Sequence, residues 1–173
     1  MIFKKTLISA VTLASLVSCS ALAGPNQQEV TLTGAISAVS CEVVLNGGSS
    51  TLNVGTFPAT SFNVANSQVG ETPLTISLTG CDAATSETGS GALYIQGKTA
   101  NGTNDLFVND INNRVGFMLT DASDATVVNN QAIPLQATVG NNSYNLTAGM
   151  GSLTTSPSNG IYSAPIVIAY VSD

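Results

Sequence analysis

Histidine is missing from all 173 residues. That removes the usual general base near neutral pH and the commonest zinc ligand, so a hydrolase triad cannot be assembled. Basic residues are nearly as scarce. Of the four in the chain, Lys4 and Lys5 lie at the start, leaving Lys98 and Arg114 against ten carboxylates from Gly24 onward, a formal charge of −8. Such a surface cannot hold nucleic acid or an anionic bilayer by charge, since both need a basic patch. Tryptophan is absent and aromatics make up 5% of the chain, so the core must be built from Val, Leu and Ile. There is no Cys-x-x-Cys pair, and Gly47-Gly48-Ser49 lacks the lysine and the helix of a phosphate loop. No run after Gly24 approaches the roughly 18 apolar residues of a membrane helix. Asp121 with Asp124, and Asp105 with Asp110, fall in Asn/Asp/Ser-rich turns where carboxylates bond their own backbone, and neither pair has calcium-loop spacing. An enzymatic function has no residues to rest on, and no cofactor or metal is expected.

What is present begins with a secretory pattern over residues 1–23: Lys4 and Lys5, an apolar run from Leu7 to Val17, and a small-x-small site at Ala21-Leu22-Ala23. Cleavage there starts the mature chain at Gly24 and sends it to an oxidising compartment. A competing reading is the lipoprotein-like Leu16-Val17-Ser18-Cys19, which would put a lipid on Cys19. The remaining chain of about 150 residues is one domain's worth, enough to bury a real core. Cys41 and Cys81 remain as an even pair in that compartment, and a disulfide between them is the expected outcome.

Helix signals are nearly absent, and Gly/Asn/Ser/Thr clusters separate short runs rich in Val, Ile, Leu and Thr. The spacing predicts an all-β sandwich. Val30, Leu32, Gly34, Ile36 and Ala38 share one parity and Val39, Cys41, Val43 and Leu45 the other, so the first strand slips by a residue near Ala38, as at a bulge or a change of sheet. Short strands are expected at Leu52–Val54, Leu74–Leu78, Leu93–Gln96 and Val115–Leu119, with a less regular edge segment at Ile133-Pro134-Leu135. The last strand reads as the longest. Tyr162, Ala164, Ile166, Ile168 and Tyr170 lie on one face, and Pro165 favours an edge position. Free strands at both ends of a chain suit a structure completed by its neighbour.

Val30-Thr-Leu-Thr-Gly34, then Cys41, Leu52-Asn-Val-Gly55, Gly70, Pro73-Leu-Thr-Ile-Ser-Leu78 and Cys81-Asp82, with the tyrosine-ended last strand, together resemble the chaperone–usher pilins of type 1-like fimbriae. The resemblance implies an incomplete immunoglobulin-like sandwich lacking its last strand, with a Cys41–Cys81 disulfide tying the first strand to the second. It divides the chain into a removed signal (1–23), a donor-strand extension (24–33) and a pilin domain (34–173). Asn26, Gln28, Val30 and Leu32 would be the donor residues. Tyr162, Ile166, Ile168 and Tyr170 would line the acceptor groove, and Asp173 would anchor the subunit on its chaperone. The implied partners are other pilin subunits in a head-to-tail polymer, a periplasmic chaperone, an outer-membrane usher and a host receptor, and the implied location is the fimbrium on the bacterial surface, reached through the periplasm. The alternative is a complete immunoglobulin-like periplasmic or lipid-tethered binding protein. Tyr94 and Tyr144 are the aromatics that could stack on a sugar, against a packing role.

Overall fold

Leu74, Ile76 and Leu78 alternate with Thr75 and Ser77, and this period of two builds the spine of the molecule, β2 (Gln68–Cys81), with the three apolar side chains 5%, 0% and 0% exposed. The computed structural model describes residues 41–81, 91–137 and 140–172, all of them within one compact unit, Gly34–Asp173. The signal, the donor extension, the expected slip near Ala38 and Asp173 lie outside the described residues.

Among the described residues, seven strands form two antiparallel sheets. The four-stranded sheet has the order β1 (Glu42–Leu45), β2, β6 (Gly140–Ser152), β4 (Val115–Thr120). The three-stranded sheet has the order β5 (Ala132–Pro134), β3 (Gly91–Gly97), β7 (Ile166–Ser172). The core between them is aliphatic, as the composition requires: Leu93 and Ile95 from β3 face Ile76, Leu78 and Leu146 from the other sheet, with Phe107 beneath them. A smaller cluster of Ala100, Leu106, Val108 and Met118 secures the loop between β3 and β4. That loop is pinned by Phe107 and Phe117, which exchange N–H···O bonds of 2.8 and 2.9 Å. The charged side chains of the described residues sit in loops, apart from Glu42 at the first position of β1 and Glu71 at the irregular step of β2.

One side of the sandwich is closed. Residues 121–131 cross from β4 to β5, with the Asn130 N–H donating to the Ile95 carbonyl (2.9 Å) and the Gly97 N–H donating to Asn129 Oδ1 (3.0 Å). The other side is not. There the free edges of the two sheets, β1 and β7, approach each other, and among the described residues no strand pairs with the outer edge of β7.

The structure departs from the sequence reading in three places. Leu52–Val54 is not a strand: residues 51–58 are extended without a ladder, since they have no partner strand among the described residues. The last strand starts after Pro165, and Tyr162 instead turns back so that its hydroxyl donates to the Ser158 carbonyl at 2.7 Å. The longest strands are β2 with 14 residues and β6 with 13, whereas β7 has seven.

Candidate functional site: an open groove beside the last strand

A cavity of about 970 Å³ opens between the two unclosed edges. Its floor is the inner face of the four-stranded sheet: Leu74, Val115, Phe117, Ala148 and Met150. One wall is β7 with the chain leading into it, contributing Tyr162, Ala164, Ile166 and Ile168. The opposite wall runs from the end of β1 at Leu45 through the unladdered stretch to Phe57, with Leu52 and Val54 turned inward. An apolar trench flanked by an unpaired strand edge on one side and an extended, unladdered segment on the other offers both of the things a strand needs: main-chain partners and pockets for alternate side chains.

The strand registers order the groove from end to end. Leu45 pairs with Ile76 at one end, and the Phe57 ring lies on Gly70 at the other. Six residues of β2 separate Gly70 from Ile76, about 20 Å at 3.3 Å per residue. The first end is edged by Asn46, Ser49 and Thr51, the second by Phe57, Phe62 and Met150. The groove is thus polar at one end and aromatic and apolar at the other. β7 enters at the apolar end, because Ile166 pairs with Gly97 beside Phe107, which is bonded to Phe117.

Of the four residues read as groove lining, Tyr162, Ile166 and Ile168 are in the wall. Tyr170 packs on the core on the same side of β7 but past the groove, where its hydroxyl accepts a hydrogen bond from the Ala137 N–H at 3.3 Å. A Cβ on Gly91 would overlap that ring, so the tyrosine is seated by a residue without a side chain. Sequence reading missed Phe57, Phe62, Val115, Phe117 and Met150 as lining. Phe117 and Val115 had been placed in a strand by their alternation, but parity alone does not say that the buried face of β4 would look into a gap. The donor residues Asn26, Gln28, Val30 and Leu32 and the chaperone anchor Asp173 lie outside the described residues.

Cys41 and Cys81 form the disulfide, joining the residue before β1 to the last residue of β2. Tyr94 stands on the outer face of β3 between buried Leu93 and Ile95, and Tyr144 is partly buried against the core. Burial and, secondarily, the charge of Asp121 push the Tyr144 hydroxyl's pKa up. Asp121 itself is held below the usual carboxylate range. The hydroxyl of Ser123 is the main cause, followed by the N–H groups of Ser123 and Ala125, all donating to Oδ1 at 2.7, 2.8 and 3.0 Å. This carboxylate works for its own turn.

The family model for fimbrial protein matches residues 30–169. Among solved structures, the P pilus rod subunit PapA matches with a TM-score of 0.64 at 18% identity, over 77% of this chain and 99% of that one. A chaperone–usher pilus, solved to explain the uncoiling of its rod, matches with a TM-score of 0.60 at 19% identity, over 87% of this chain and 98% of that one. No curated protein matches the sequence.

Proposed function

The chain belongs to the fimbrial protein family and is a structural, non-enzymatic subunit of a surface fimbria; we propose that its groove is filled in the fibre by the N-terminal segment of a neighbouring subunit, residues 24–33. The observation that carries this reading is the pairing of an unladdered β7 edge with an apolar trench. Length agrees: the step from Asn26 to Leu32 spans about 20 Å in extended chain, the separation of the groove's two ends. Polarity agrees as well. Val30 and Leu32 suit the end made by Phe57, Phe62 and Met150, and Asn26 and Gln28 suit the end edged by Asn46, Ser49 and Thr51. That match runs the donor antiparallel to β7, which continues the antiparallel order of the three-stranded sheet. Burial of Val30 and Leu32 would contribute roughly 3 to 6 kcal/mol, to which the main-chain ladder adds.

Donor and groove sit on different parts of one chain, so the contact is head to tail and does not close on itself, which makes a fibre. Before assembly the same groove must be covered, since an exposed apolar edge aggregates. A periplasmic chaperone lending a strand, with the Asp173 carboxylate as its anchor point, fills that requirement, and an outer-membrane usher is where the lent strand is exchanged for the donor. A host receptor is the remaining partner of this reading. Tyr144 is a poor candidate for contacting it, being packed on the core.

The test is to append a second copy of Gly24–Thr33 through a short linker after Asp173. The expected result is monomer in place of polymer and a melting temperature higher by on the order of 10 °C, from 2–4 °C per kcal/mol for a chain of this size. An unmodified chain that is already a stable monomer, and is unaffected by the added strand, would mean a closed domain. The cavity would then be a ligand pocket.

A further inference from the structure

The groove wall opposite β7 has few attachments. Residues 51–58 make no ladder; the wall is tied across to β2 at its first end, where the Thr75 N–H donates to Asn46 Oδ1 at 2.9 Å, and farther along by a long bond, Thr72 Oγ1 donating to the Val54 carbonyl at 3.4 Å. Leu52 and Val54 hold its middle by packing. Its far end is held by the Phe57 ring, wedged between Gly55 and Gly70. Both glycines have positive φ, 104° and 82°. A Cβ on Gly70 would overlap the ring at two carbons and crowd a third, and one on Gly55 would touch it at 3.5 Å. Gly70 lies in the irregular step of β2 between Val69 and Thr72, where the strand departs from regular pairing. Two left-handed glycines and a bulge thus converge on the seat of one ring, at the apolar mouth of the groove.

We propose that Phe57 is a latch: seated on Gly70, it keeps the 49–57 wall at strand spacing from β7 and thereby sets how fast a donor strand enters and leaves. This rests on the reading of the groove as a strand acceptor. A donor between two edges can leave only when one edge gives way, and the wall, lacking a ladder, gives way before β7 does, which is bonded along its length to β3. The ring is the wall's outermost fastening, so unseating it lowers the barrier in both directions. Phe57 is a positioning residue by this argument, acting through the wall in addition to the surface it lends the apolar end of the groove.

The measurement is uptake and release of a fluorescent peptide of residues 24–33 by the chain from Gly24, compared with Phe57→Ala, Phe57→Leu and Gly70→Ala. Association should accelerate by about tenfold in Phe57→Ala along with dissociation, whereas losing the ring's own contact with the donor would raise dissociation alone. Phe57→Leu should fall between, which keeps the test available if the alanine variant folds poorly. Gly70→Ala should reproduce Phe57→Ala; a side chain at a φ of 82° is strained with or without the ring, so the ring's share is the part of the rate effect that is lost in the Phe57→Ala background, where the added methyl meets no ring. A ring that merely adds stability would lower the melting temperature and leave association unchanged, and that result would overturn the latch. Peptide uptake with all rates unaltered would overturn it equally. If the wild-type chain takes up no peptide, the acceptor reading falls, and the latch with it.

Discussion

Asp121 shows how a residue that looks functional in sequence is spent on local structure. Its Oδ1 gathers a hydroxyl and two N–H groups from the turn it begins, and these bonds to the charged form depress its pKa. A depressed carboxylate contributes stability above its unfolded pKa, near 3.9, and loses it as pH falls through the folded value below that. Ser123→Ala should therefore be less stable than wild type at neutral pH, with the difference fading in urea titrations taken below about pH 4. A difference that persisted at pH 2 would show the serine acting through packing instead. Tyr144 has the opposite sign: its raised pKa stabilises the fold until pH climbs through the tyrosine range near 10. The turn role of Asp121 was legible from its Asn/Asp/Ser-rich setting. The seat of Tyr170 was not, because Gly91 and the Ala137 N–H that receive it come from β3 and from the segment after β5.

Elements with clean apolar alternation were readable, and β2, β3 and β4 lie where the pattern puts them. β6 was not, though it is central and pairs with both β2 and β4. Its sequence, Gly-Asn-Asn-Ser-Tyr-Asn-Leu-Thr-Ala-Gly-Met-Gly-Ser, shows no clean apolar alternation, because its outer face is polar and its far half carries two glycines. The structure supplies the reason for the glycines: a Cβ on Gly149 would strike the Gly70 and Val69 carbonyls, and one on Gly151 would strike Met118. Close approach, which no periodicity reports, is what made them necessary. The groove's unladdered wall was misread for the reverse reason, since Leu52 and Val54 alternate as a strand does but have no partner strand among the described residues. If that partner is the donor, Leu32→Asp should leave the circular dichroism of the monomeric subunit unchanged and abolish its polymerisation, because a carboxylate cannot enter the Phe57–Phe62 end without losing its hydration. Fibres of normal length from Leu32→Asp would rule out this register.

For the molecule as a whole, the disulfide closes a loop of 40 residues between β1 and β2, next to the unclosed side. In the chain-entropy picture its removal should cost about 2 to 4 kcal/mol. Paired Cys41→Ala and Cys81→Ala substitutions should lower the denaturation midpoint accordingly, in a strand-complemented monomer where polymerisation does not intrude. An unchanged midpoint would mean that β1 is fixed by the ladder to β2 alone. Fold class and family were legible because they rest on composition and on the order of strands along the chain. The location of the open side was legible only in outline, because it depends on which edges the crossing segment 121–131 covers, a long-range fact.

If a neighbour's strand fills the groove, the groove also supplies the work of assembly. Folding stops with a stretch of apolar surface still wet, so part of the hydrophobic driving force is left undischarged in each subunit. It is released only when the next chain arrives. A fibre built of such units would grow without a nucleotide to hydrolyse, because each folded subunit would bring its own driving force.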